Sequence, residues 1–389
     1  MYEGNIKLYI VTPWYNTFAG GAEVLARNLA VQAAARKIDT EVLTTCVSNP
    51  NNSWWKNSVK PGVEKIDGVT VRRFSVSTGG EYEYNLAQNK ILLGQELLEE
   101  DKQVLYTQGI NSDKLVEFIR DIEDDSIIIM LPYFQTLAYN VITKNPDKVY
   151  FMPCFHNEDR FYWNQVKEML IKSRGIYFLS EPEKELAIKT YGNILGKKII
   201  ESPVVGAGIE ISKNQKPVEN LPSEYVLYVG RKDRGKGVVE LVKYHSQLNK
   251  DISLVFVGGG DKELIPDSPN IIDYGFVSEE EKNYIIKNAS CLVNLSNNES
   301  FSFVIMEAWL NDVPVIVSGR CDVTKHHVSV SRGGFVIRNA KEYAEAVASI
   351  INDKELRKIM AANGAKYTKE HYSWDMVINE IITEHRGRQ

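Results

Sequence analysis

Short apolar runs of strand length, each followed by a stretch of helix length, recur along nearly the whole chain, and this alternation leaves few architectures open. In the first half the runs are Ile6–Val11, Glu41–Val47, Val69–Val76, Ser126–Leu131, Val149–His156, Ile176–Leu179 and Lys198–Val205. Several are continuously apolar, the pattern of strands covered on both faces. Between them lie helical stretches such as Ala22–Arg36, Asn85–Glu100, Asp113–Asp121 and Pro182–Thr190, the last opened by Ser180-x-x-Glu183 in the form of a capping box. Strands alternating with helices predict parallel, doubly wound α/β sheets.

The stretch Gly206–Glu224 breaks the rhythm with polar residues, Gly and Pro, as a linker does. A second series then follows: Tyr225–Gly230, Ser253–Gly258, Ile271–Tyr274, Cys291–Leu295, Pro314–Ser318 and Phe335–Ile337. At 389 residues the chain is too long for one ordinary core. The expected division is residues 1–205, joined by a C-terminal helix at 373–389 that begins near Ser373, and residues 206–372. A net charge of -5 argues against a general nucleic-acid binder. Cys46, Cys154, Cys291 and Cys321 have no paired spacing, and Cys154 and Cys291 lie within apolar runs, as reduced, buried thiols of a cytoplasmic protein do. The start, MYEGNIKLYIVTPW, reads as one strand with no signal-peptide cleavage site. No apolar run approaches the ~20 residues of a membrane span.

In open parallel sheets ligands bind at the carboxyl ends of strands, and four strand ends here carry groups suited to that. After Cys291–Leu295, the stretch NNESFSFVIMEAW places Glu299 in a loop and Glu307 about a turn into the next helix. The N–H groups of Ser302 and Phe303 would be unpaired helix-start donors, suited to a phosphate. An ordinary buried helix with one solvated and one capping carboxylate would look the same. After Tyr225–Gly230, the loop Gly230-Arg231-Lys232-Asp233-Arg234-Gly235-Lys236-Gly237 offers a planar fork and a point charge that suit a diphosphate, or else a solvated basic loop. His156 ends an apolar strand, where it could meet a sugar hydroxyl or be a satisfied core histidine. Phe18-Ala19-Gly20-Gly21 could bring backbone close to a ligand at a helix start, or simply make a tight turn. The adjacent Trp54 and Trp55 could stack on a sugar, touch a lipid or anchor a loop. Cys321, His326 and His327 lack metal-ligand spacing.

Taken together, these motifs resemble the retaining glycosyltransferases of the two-Rossmann-domain type, the large family 4 class. Glu299 and Glu307 match its E-x7-E pattern, and Arg231 and Lys236 match its G-R-x4-K-G diphosphate clamp. Gly20, Gly21 and Glu23 resemble its GG-x-E turn on the acceptor side. Gly259 lies in a strand end like the one beside the nucleotide, and Phe276 and Val277 lie in a turn like the one whose backbone contacts the base. His156 matches by position a histidine beside the donor sugar. The resemblance implies a GT-B-like α/β fold, two doubly wound Rossmann-type domains facing each other across a cleft. It further implies transfer of a hexosyl group with retention from a nucleotide sugar, a UDP-hexose by frequency among similar proteins, to a saccharide or lipid-linked saccharide. Arg231, Lys236, Glu299 and His156 are the implied catalytic residues. Gly20, Gly21, Gly259, Phe276, Val277, Phe301, Ser302, Phe303 and Glu307 are the implied substrate contacts. No metal is expected, because the chain has no D-x-D triplet and its charge partners are cationic side chains. The expected location is the cytoplasm, and peripheral contact with the inner face of a membrane is compatible with a lipid-linked acceptor. Two departures stand out. Ser302 replaces the glycine of E-x-F-G, and Gly319–His327 has a single glycine and no glutamate where glycines followed by a glutamate are usual after the following strand. A nucleotide-sugar 2-epimerase and a non-catalytic nucleotide-sugar binder are the alternative readings.

Overall fold

The structure is a computed structural model, and it describes residues 6–16, 20–212, 214–248 and 252–388. Phe18 and Ala19, at the glycine-bearing turn, lie outside the described residues. The chain divides into two compact units, residues 1–207 with 377–389 and residues 208–376.

The first unit holds a seven-stranded sheet. Its strands are β1 (Lys7–Val11), β2 (Asp39–Thr45), β3 (Gly62–Ile66), β4 (Val69–Phe74), β5 (Ile127–Met130), β6 (Tyr150–Phe151) and β7 (Gly175–Ile176), in the order β3-β4-β2-β1-β5-β6-β7. All pairings are parallel except β3 with β4. That hairpin turns at Asp67-Gly68, both with positive φ, the two-residue turn whose twist matches antiparallel strands. Ile10, Val11, Ile128, Ile129 and Met130 are fully buried, as central strands covered on both faces require. The C-terminal segment belongs to this core: the Tyr177 hydroxyl donates to the Ile381 carbonyl at 3.2 Å, and Tyr150 meets His385 at 3.1 Å.

Two sequence expectations fail here. Lys198–Val205 is not a strand: Lys197–Ile200 is a helical turn, and only Val204 makes a bridge, to Phe178. The helix expected over Asn85–Glu100 instead runs Glu81–Leu92, and a separate helix spans Glu99–Thr107. The break falls at Leu93-Gly94, where Gly94 takes a positive φ.

The second unit holds six parallel strands: β8 (Tyr225–Val229), β9 (Ser253–Val257), β10 (Ile271–Asp273), β11 (Cys291–Asn294), β12 (Val315–Ser318) and β13 (Gly334–Ile337), in the order β10-β9-β8-β11-β12-β13. The order reverses between β8 and β11. At such a point the connections leave in opposite directions, so the carboxyl ends of these two strands border a crevice. Its core includes Val226, Leu254, Phe256, Val293 and Ile316. No helix among the described residues is long and apolar enough to cross a membrane.

Candidate active site

The loops after β8 and β11 are knit together at their backbones. The Asn297 N–H donates to the Gly235 carbonyl at 3.0 Å. Gly237 takes φ +71, and a Cβ there would collide with the Leu295 carbonyl. Only glycine fits that approach. The loop after β9 closes on the same region. Lys232 N–H donates to the Gly259 carbonyl at 2.7 Å, and a Cβ on Gly258 or Gly260 would strike the backbone of Gly230 or Lys232.

This scaffold brings Lys236 to Glu299. Their side chains pair at 2.8 Å, and both are largely buried. Asp233 organises the rest of the β8 loop: one carboxylate oxygen takes the Arg231 guanidinium at 2.6 Å and the other takes the Lys236 N–H at 2.9 Å. The Tyr228 hydroxyl donates to the Arg231 carbonyl at 2.6 Å. Arg231 keeps an exposed side chain. Lys232 has a different fate from its flanking cations. It is 1% exposed, and its ammonium donates to the Gly258 carbonyl and to both carboxylate oxygens of Asp273, at 2.7 and 2.9 Å. It therefore ties the β8, β9 and β10 ends together, a role its sequence position between two candidate ligands conceals.

Helix 303–310 starts at Ser302, which has φ 77 and ψ 79. That is the left-handed conformation expected of the glycine this serine replaces. The substitution is held in place by a hydrogen bond, since the Asn294 amide donates to the Ser302 hydroxyl at 3.1 Å. The same amide lies 3.4 Å from Glu299. Phe303 begins the helix, so its N–H and that of Ser302 have no intrahelical acceptor. The Phe301 ring is 1% exposed and packs edge-on against Phe303, His327 and Tyr372. It anchors the loop from inside, so a substrate could meet only its backbone.

Glu307 lies one helical turn on, where Lys282 of helix 279–288 pairs with one of its carboxylate oxygens at 3.0 Å. Lys282 pairs also with Glu279 at 2.9 Å. Burial pulls the Lys282 ammonium down, but the two carboxylates outweigh it and hold its pKa above the usual lysine value. The other Glu307 oxygen is out of solvent and has no hydrogen-bond donor among the described residues. Phe276 is 81% exposed, with its ring edge where a Gly259 side chain would be, and Val277 beside it is half-buried.

The remaining candidates sit on the first unit. Gly20 caps helix 21–35 in an extended conformation, and its carbonyl accepts the Val24 N–H at 2.9 Å. A Cβ on Gly21 would meet nothing within 4 Å. His156 follows β6, half-buried, with its ring 3.8 Å from Glu158. Behind it lies a residue that the sequence marks only as a helix cap. Glu183 is 2% exposed, and its two carboxylate oxygens accept the Phe155 and Leu179 N–H groups, each at 2.6 Å. Burial pushes this carboxyl up to about 8, against the pull of the N–H groups of Leu179, Phe155 and Ser180. Ser180 accepts the Glu183 N–H at 3.4 Å, so the expected cap forms, while the carboxylate also ties the ends of two strands.

Trp54 and Trp55 are loop anchors. Both rings pack on Tyr84, and their N–H groups donate to the Pro50 and Gln108 carbonyls. His327 is fully buried, its ring bonded to the Tyr367 hydroxyl at 2.8 Å and pushed down to about 3 by burial. Among the described residues no group of three or more His, Cys, Asp or Glu could hold a metal ion. A cavity of about 570 Å³ lies at the opposite, amino-terminal edge of the first sheet, and none of the candidate residues lines it.

Residues 210–367 match the family of glycosyl transferases group 1. An uncharacterized glycosyltransferase of Methanocaldococcus jannaschii is 27% identical over 175 residues, 41% of this chain and 44% of that protein. The capsular polysaccharide biosynthesis glycosyltransferase CapM of Staphylococcus aureus is 27% identical over 200 residues, 45% and 51% of the two chains. The chain thus spans about half the length of these curated relatives. Anabaena HepE, solved in complex with UDP and glucose, superposes with TM-score 0.70 at 14% identity, covering 98% of this chain and 100% of that one. The fold is accordingly that of GT-B structures, with two Rossmann-like α/β domains, and the residues that match the group 1 glycosyltransferase family lie in the second unit.

Proposed function

We propose that this protein is a retaining, metal-independent glycosyltransferase of the family 4 type. It would move a hexosyl group from a nucleotide sugar, most simply a UDP-hexose, to a saccharide or lipid-linked saccharide. The observation that carries the reading is the pairing of Lys236 with Glu299 where the strand order reverses, with Arg231 in the same loop and Glu307 on the helix that follows. As the glycosidic bond stretches, negative charge builds on the leaving diphosphate. Arg231, Lys236 and the helix start at Ser302–Phe303 supply the compensating charge and N–H donors. Glu299 holds the donor sugar and Glu307 accepts the ribose hydroxyls. His156 and the Gly20–Gly21 turn are assigned to the sugar and acceptor side. HepE was solved with UDP and with glucose, which supports a UDP donor. The name of CapM supports a role in polysaccharide biosynthesis.

The test is incubation with a panel of nucleotide sugars and saccharide acceptors in EDTA, followed by nuclear magnetic resonance of the product. Acceptor-dependent nucleoside diphosphate release with retained anomeric configuration is expected. A product of inverted configuration would refute retention. An epimerised nucleotide sugar formed without acceptor would establish the epimerase reading instead.

A further inference from the structure

Each charged group assigned to the donor is held by an internal counter-charge: Arg231 by Asp233, Lys236 by Glu299, and Glu307 by Lys282. The third pair differs from the others. Asp233 and Glu299 belong to the loops that form the site, whereas Lys282 comes from helix 279–288, outside both loops. Its side chain is mostly buried, and it bridges Glu307 and the exposed Glu279. A lysine with four methylenes on a helix surface ordinarily extends into water. Here the ammonium instead takes one Glu307 oxygen, and the second oxygen is buried with no donor among the described residues. A buried carboxylate oxygen in that state is costly, and an incoming hydroxyl would relieve it.

We propose that Lys282 is a positioning residue for nucleoside recognition: it fixes the Glu307 carboxylate by one oxygen and reserves the other for a ribose hydroxyl. The inference rests on the assignment of Glu307 to the ribose made above. An ammonium is a compact donor, so it can hold one oxygen without covering the second. Without it, Glu307 becomes a partly buried carboxylate with no cation, free to turn toward water. Lys282 therefore acts on the ribose through Glu307 and needs no contact with the nucleotide.

The experiment is calorimetric titration of UDP, 2′-deoxy-UDP and 3′-deoxy-UDP into the wild-type protein, Lys282→Met and Lys282→Arg. A hydrogen bond to a charged group is worth about ten- to a hundred-fold in affinity. The wild type should therefore prefer UDP over at least one deoxy analogue by roughly that factor. Lys282→Met keeps the apolar stem and should lose most of that preference, binding UDP and the analogue within about three-fold of each other. Lys282→Arg keeps the cation and should retain a clear preference. Loss of packing alone would weaken all three ligands together and leave the ratio unchanged, and that result would overturn the proposal. So would an arginine variant that folds but no longer discriminates. If the wild type binds UDP equally well with and without either hydroxyl, the ribose assignment of Glu307 fails and this inference with it. If the wild type discriminates and Lys282→Met does so equally, the function stands and the role of Lys282 alone is refuted.

Discussion

Gly237→Ala is the sharpest single perturbation of the loop pair that forms the site. Gly237 sits at φ +71, where alanine costs roughly 1–2 kcal/mol from its own Cβ. That Cβ would also lie 2.2 Å from the Leu295 carbonyl oxygen and 2.7 Å from its carbon, so backbone rather than a flexible side chain has to move. Overpacking of this kind adds about 1–3 kcal/mol. The total is on the order of 2–5 kcal/mol. For a unit the size of residues 208–376, that corresponds to a fall in Tm of about 5–15 °C. Because the shift separates the β8 loop from the β11 loop, it should strain the Asn297–Gly235 hydrogen bond and the Lys236–Glu299 pair together. Affinity for UDP should then fall more than tenfold. Gly235→Ala is the control two residues away. Its Cβ would meet only the Asp233 side chain, at 3.3 Å, so its stability should stay within about 1 kcal/mol of wild type. Differential scanning calorimetry of both variants, with UDP titrations, reads the comparison. Equal Tm values for the two variants, or undiminished UDP affinity in Gly237→Ala, would refute the reasoning.

Two further predictions concern residues whose roles are set by conformation and burial. Ser302→Gly removes the left-handed strain but also the Asn294 hydrogen bond, so the two effects of about 1 kcal/mol offset and Tm should barely change. Ser302→Ala keeps the strain and loses the bond, so it should melt lower than the glycine variant; the reverse order would show that Ser302 is not strained. For Glu183, the folded pKa of about 8 lies above the ordinary glutamate value of 4.5. Between those two values the folded state holds a proton that the unfolded chain has released. Stability therefore falls as pH rises through that window. Glu183→Gln carries no such proton, so the Tm difference between wild type and variant should move against the wild type from pH 5 to pH 8, and parallel pH profiles would contradict this.

The parts legible in the sequence were those written locally. Cys291–Asn294 and Tyr225–Val229 are continuous apolar runs, and the polar loops directly after them carry Glu299, Arg231 and Lys236. The Asp67-Gly68 turn between β3 and β4 is also a local signal, but the exposed Val63 and its polar neighbours hid the strand before it. What sequence concealed depends on partners far along the chain. Glu183 is disguised as a capping residue, and only the fold brings it to Phe155. Lys282 meets Glu307 across two helices. A faint signal for it exists, because Lys282 is three and four residues before the buried Ile285 and Ile286 and so lies on the inward face of its helix. Ser302 announces nothing by itself. Its left-handed backbone belongs to its place as the cap of helix 303–310, not to serine's own preference.

Arg231 and Lys236 should bind a nucleoside diphosphate without metal. The deciding measurement is isothermal titration of UDP in EDTA into the wild-type protein and into Arg231→Ala and Lys236→Ala, with folding checked by melting. Metal-free binding by the wild type is expected, weakened in each variant by about ten- to a hundred-fold, the loss of one hydrogen bond between charged groups. Binding that vanishes on chelation, or alanine variants that bind UDP within a few-fold of wild type, would contradict it and return the Gly230–Gly237 loop to a solvated basic turn.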